Sequence, residues 1–110
     1  MIELVILCWL KKHLEVPVYL ETPDRVPKAY VRFEKTSEAR RNQLYHGTFA
    51  FQSYAGSLYE TAALNEKVKK AVDQMIELPE IGSVSLNSNY NYTDTESGCY
   101  RYQAVYDLTY

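Results

Sequence analysis

Residues Thr48–Ile76 read TFAFQSYAGSLYETAALNEKVKKAVDQMI, and within this stretch the apolar period changes from two to about 3.6. Phe49 and Phe51 fall on one side of a strand, with Thr48, Ala50 and Gln52 on the other. Gly56 then breaks the strand. Ser57 and Glu60 have the spacing of a capping box, in which the serine oxygen accepts from an otherwise unpaired amide of the first helical turn. The helix they open carries Leu58, Thr61, Leu64, Val68, Val72 and Met75 along one side. Glu60, Glu66, Lys67, Lys70 and Asp73 lie opposite, the pattern of a helix laid across a sheet. Leu78-Pro79 ends it, because proline has no amide hydrogen and disfavours helical geometry in the residue before it.

Upstream, AYVRFEK (29–35) alternates, with Ala29, Val31 and Phe33 on one face and Tyr30, Arg32 and Glu34 on the other. Between this strand and the next, TSEARRNQLYHG (36–47) has few apolar anchors and is expected to be a solvated loop. VPVYLE (16–21) reads as a short edge strand because of Pro17, followed by the turn-rich TPDRVPK. Residues 2–14 fit a helix with Ile2, Val5, Ile6, Trp9, Leu10 and His13 on one side. Leu4, Leu7 and Cys8 fall outside that stripe, so this helix either lies between layers or meets a neighbouring subunit, and in so small a chain the second is expected.

Downstream, IGSVSLNSNYNY (81–92) places Val84 and Leu86 inward before Asn87, Asn89 and Asn91 take the other face. TDTESG is a polar turn. In CYRYQAVYDLTY (99–110) the residues Tyr100, Tyr102, Ala104, Tyr106, Leu108 and Tyr110 share one face. The order helix, three strands, helix, two strands is that of an α+β domain, two helices over a mostly antiparallel sheet of about five strands.

A chain of 110 residues supports one domain with one core. Its 24% charged and 46% hydrophobic residues are a globular balance. Eleven tyrosines suggest contact faces, since each covers apolar area while keeping a hydroxyl for a partner. Met1–Gln43 carries eight Lys/Arg against six acids, and Leu44–Tyr110 four against eight, so neither half resembles a dedicated duplex clamp. Cys8 and Cys99 lack the spacing of a disulfide framework or zinc site, and the default is a reduced, intracellular setting. MIELVILCWLKKHL does not read as a signal peptide, because Glu3 is acidic and the lysines follow the apolar run. That run is also too short to span a bilayer.

Catalytic candidates are sparse. His13 suits a helix C-terminus, and His46 suits a surface loop. No glycine-rich phosphate loop is present, and Asp94 and Glu96 lie in a polar turn with no burial to raise a carboxyl pKa. No enzymatic activity, cofactor or metal is expected. Base stacking on Tyr90, Tyr92, Tyr100 or Tyr102, as in a single-stranded RNA-binding sheet, is opposed by the acidic character of that region.

The chain nonetheless resembles small tail-completion, or tail-terminator, proteins of long-tailed phages and prophages of Gram-positive bacteria. The likeness runs over nearly all residues: a PV strand after the first helix, Glu21-Thr22-Pro23, the FxxQSxA pattern of Phe49–Ala55, and Arg101-Tyr102-Gln103. One departure is that Ser37-Glu38-Ala39-Arg40-Arg41 follows Thr36, where many relatives have a glycine-containing turn. The resemblance implies a non-catalytic subunit of a closed, typically hexameric ring in the virion tail, assembled in the bacterial cytoplasm. Such a ring caps the tail tube and meets the head connector; a head-tail adaptor subunit is the alternative. On this reading Leu4, Leu7, Cys8, Tyr102, Tyr106, Leu108 and Tyr110 are expected at a subunit interface, with the terminal strand a docking edge. Glu38, Arg40, Arg41 and His46 are expected on a loop facing the lumen, where DNA passes, or a partner.

Overall fold

The computed structural model describes residues 1–110, and its longest feature is a hairpin. Strand β2 (Tyr30–Arg41) and strand β3 (Leu44–Tyr54) pair antiparallel from Tyr30↔Tyr54 out to Arg41↔Leu44. Asn42 (φ 49°) and Gln43 (φ 66°) make the two-residue connection. Positive φ at both positions matches the right-handed twist of the flanking strands, the geometry of a type I′ turn. The expected solvated loop over 36–47 is therefore corrected to the outer half of a hairpin, with a β-bulge between Lys35 and Ser37 where it leaves the core.

Five strands form one sheet in the order β1-β2-β3-β5-β4. Strand β1 is only Val18–Tyr19, parallel to β2, and Val31 donates its amide to the Pro17 carbonyl at 2.9 Å. Strands β4 (Ser83–Asn91) and β5 (Arg101–Thr109) run antiparallel to their neighbours. The architecture is α+β, two helices on a mostly antiparallel mixed sheet.

Helix α1 (Ile2–His13) has Glu3 in its first turn and Lys11, Lys12 and His13 in its last, each favourable to the helix dipole. Ile6 and Leu10, one turn apart, are buried, and Trp9 Nε1 donates to the Ala71 carbonyl at 2.8 Å. Helix α2 (Leu58–Asp73) starts at Ser57, whose oxygen accepts from the Glu60 amide at 3.1 Å. The Glu60 carboxylate accepts in turn from the Ser57 hydroxyl at 3.2 Å. Thr61, Leu64, Val68, Val72 and Met75 are buried as their spacing predicts, joined by Asn65 and Ala71. Leu58, one residue past the cap, remains exposed. A short 3-10 helix over Gln74–Glu77 leads to Pro79.

Both helices cover the same sheet face. There Phe33, Phe49, Phe51, Tyr106 and Leu108 meet Ile6, Leu10, Val68, Val72 and Met75 in one core. The position of β5 overturns a further expectation: paired to β3 on one side and β4 on the other, it is no edge. Tyr106 is 0% exposed and Leu108 1%, so neither lies at a subunit interface. The Tyr106 hydroxyl donates to Asp73 Oδ1 at 2.9 Å, and burial is the main cause raising its pKa above the usual tyrosine range. Leu86, paired with Tyr106, faces the helix side as its alternation predicts, but it lies beside the end of α2 and remains exposed.

No helix covers the other sheet face, yet its centre is closed by its own side chains. Arg32 donates to Gln52 Oε1 at 3.1 Å, and Gln52 Nε2 to Gln103 Oε1 at 2.8 Å. Tyr30 stacks on Tyr54 with centroids 4.4 Å apart. Tyr30, Ala50, Gln52 and Gln103 are thereby buried without a second layer.

Candidate assembly surfaces

The outer half of the β2–β3 hairpin extends beyond the helices as an arm, in a molecule measuring 44 × 25 × 25 Å. Its base is fastened by charge. Lys35 Nζ lies 2.7 Å from Glu38 Oε2 and 3.4 Å from Glu3 Oε2, while the Tyr110 hydroxyl donates to Glu38. The hydrogen bond from Lys35, then that from Tyr110, holds the Glu38 carboxyl below the ordinary carboxylate range. The Tyr110 hydroxyl is pushed above its ordinary value by burial and by its bond to Glu38. Tyr45 and Tyr110 exchange two backbone hydrogen bonds of 3.1 and 3.0 Å, and their rings stack at 5.9 Å. Gly47 leaves room for this arrangement: a Cβ there would come within 2.5 Å of the Tyr110 hydroxyl.

At the tip, Leu44 is 51% exposed and Tyr45 41%. The Arg40 guanidinium lies 5.6 Å from the centre of the Tyr45 ring. Arg41 and His46 face the opposite side and line a groove of about 460 Å³ with Thr48, Ser83, Asp107 and Thr109. Asp107 accepts there from Thr48 at 2.8 Å and Asn87 at 3.0 Å, so its carboxylate is tied to neutral donors. The four residues expected on one loop are thus divided: Glu38 belongs to the fastening, Arg40 to one hairpin face, and Arg41 and His46 to the other.

The second surface is the outward flank of α1. Met1, Leu4 and Cys8 are exposed, and with Val5, Trp9 and Leu78 they border an open, mainly apolar groove of about 460 Å³. Leu7 is half-buried against the core. Of the residues expected at an interface, Leu4 and Cys8 are available, Tyr102 and Tyr110 are half-buried, and Tyr106 and Leu108 are core.

The third is β4, which pairs only with β5 and leaves its outer row of amides and carbonyls without a partner strand. Its sequence, SVSLNSNYN, has neither the lysine nor the proline that often guards an edge, although its bulge interrupts the ladder. This edge was missed because alternation reveals a strand but not its neighbours.

Beyond β4, Tyr92 carries the Arg101 guanidinium 4.3 Å from its ring centre. The following turn is held by Asp94, which accepts from Ser97 Oγ at 2.9 Å and the Glu96 amide at 3.1 Å. These bonds, that from Ser97 first, lower the Asp94 pKa. His13 Nδ1 lies 2.8 Å from the Trp9 carbonyl, its ring stacked on Trp9 at 3.9 Å. No group of three or more His, Cys, Asp or Glu side chains is placed to hold a metal, and no helix is long and apolar enough to cross a membrane. No protein-family model matches this chain, and no curated protein does.

Proposed function

We propose that this chain is a structural subunit of a phage tail, forming a closed ring that caps the tail tube and joins it to the head connector. The observation that carries the reading is that the folded monomer leaves large apolar side chains uncovered on two separate elements, Met1 and Leu4 on α1 and Leu44 and Tyr45 on the arm. Two unlike surfaces on one subunit are what a head-to-tail contact requires, and such contacts close into rings when the rotation is right. The open β4 edge adds a third contact able to recruit a partner by strand addition. The motif resemblance supplies the virion setting; an adaptor subunit would use the same surfaces.

Electron microscopy of the purified protein mixed with tail tubes tests the reading. Rings, and tubes closed at one end, are expected; uncapped tubes beside a monomeric protein would overturn it.

A second reading, single-stranded RNA binding, is favoured by one feature, the exposed Tyr90 and Tyr92 with Arg101 beside them. Arg101, however, already occupies the Tyr92 ring and donates from Nε to the Tyr92 carbonyl at 2.9 Å. Filter binding at low salt decides it, and no retention of RNA eliminates it.

A further inference from the structure

We infer that the arm tip of one copy, led by Leu44, seats in the groove between α1 and the Leu78–Glu80 segment of the next copy. The inference rests on the ring reading and names the contact that builds the ring. Knob and groove match in chemistry. The tip offers Leu44, 51% exposed on the same hairpin face as Arg41, with Tyr45 on the opposite face against Arg40 and Tyr110, and the groove is floored by Leu4, Val5, Cys8 and Leu78. The tip of the same chain does not line this groove, so the groove is free for a neighbour's.

Charge selects the same pairing. Residues 39–46 carry Arg40 and Arg41 and no carboxylate, and neither arginine is in an ion pair. Glu80 stands at the groove and Glu77 just before Leu78; both are exposed and in no ion pair. Lys12 also borders the groove, leaving the Glu80 side as the one that accepts the arginines. Complementary charge of this kind orients an encounter and fixes its register.

Rigidity favours the contact further. The Lys35–Glu38–Tyr110 fastening and the Tyr45–Tyr110 pairing hold the tip in one direction, which lowers the ordering cost of association. One such tip buries far less than the roughly 1,200 Å² of a stable dimer. The contact therefore works through repetition, each closing subunit meeting an effectively concentrated partner. Monomer and ring, rather than dimer, are the species expected.

The test uses the native Cys8. In a Cys99→Ser background, Leu44→Cys under mild oxidation should give a ladder of disulfide-linked chains on a non-reducing gel, abolished by Cys8→Ser. A bond of this kind requires Cα atoms about 4.4–6.8 Å apart, so it reports close approach. Separately, Arg41→Glu should raise the half-assembly concentration by about tenfold, and adding Glu80→Arg should restore it. Normal rings without a Cys8-dependent ladder would overturn the inference and leave the ring reading standing. A monomer under all conditions would overturn both. If Arg41→Glu leaves assembly unchanged and instead weakens duplex DNA binding, the tip is a nucleic-acid contact and the inference fails.

Discussion

The inner and outer halves of β3 share a strand but not an environment. Phe49 and Phe51 lie under the helices, fully buried, whereas Leu44 and Tyr45, five residues or so along the same ladder, stand in solvent. Hydrogen bonding is similar in both halves, since β2 pairs with β3 along nearly the whole length. What differs is cover: Phe49 and Phe51 lie under α1 and α2, whereas Tyr45, on the same face, meets only Arg40 and Tyr110, and Leu44 points to the opposite face, which no helix covers. A strand is held by its ladder, but an apolar side chain is buried only by a second layer, and for the tip the proposed ring supplies that layer from a neighbouring copy.

The sharpest break between the halves comes from the core. Phe51→Ala should cost about 3–5 kcal/mol, because lost transfer energy and a cavity add, and Tyr106→Asp should prevent folding. Chemical denaturation checks both. If Tyr106→Asp folded normally and failed only to assemble, the division between covered and uncovered side chains would be wrong.

The reciprocal substitution, Leu44→Asp, should change monomer stability by less than about 0.5 kcal/mol while abolishing assembly. Denaturation and sedimentation on one sample separate the two effects. A large loss of stability would move the tip into the folded core of the monomer.

A third change sharpens the arm alone. Gln43 occupies a left-handed conformation at φ 66° that glycine adopts without a Cβ penalty. Gln43→Gly should stabilise the hairpin by up to about 1 kcal/mol, seen as slower amide exchange near the turn. Faster exchange there would contradict the turn geometry.

The smallest effect is the pH response of the arm's base. Glu38 has a lowered pKa, so its contribution is present above the ordinary carboxylate value and lost as pH falls through the lowered one. Tyr110 has a raised pKa, so its contribution is present below the ordinary phenol value and lost as pH rises through the raised one. Amide protection in the arm, corrected for intrinsic exchange, should be level from about pH 5 to 9 and decline on the acid side. Tyr110→Phe should lower it by up to about tenfold. Protection unchanged in acid and in Tyr110→Phe would show that the fastening carries no weight.

These contrasts also mark what could be read in the residues. The change of period across Gly56 and the Ser57–Glu60 cap revealed strand and helix, because burial against one layer imprints a period. The arm was hidden because its residues face no layer and so carry no apolar alternation. Its turn, Asn42-Gln43, also lacks the glycine that commonly signals a hairpin. Strand order was hidden for another reason. The alternation of Tyr102, Ala104, Tyr106 and Leu108 marks one buried face, and is the same for a central strand as for an edge. The exposure of Leu4 and Cys8 was legible because both lie off the apolar stripe of an amphipathic helix.

The central claim, that the apolar surfaces of the monomer are covered by further copies, is tested most directly by sedimentation velocity over a wide concentration range, alone and with tail tube protein. A steep conversion from monomer to one closed oligomer is the expected result. A single monomeric boundary at every concentration, also in the presence of tail tube protein, would contradict it.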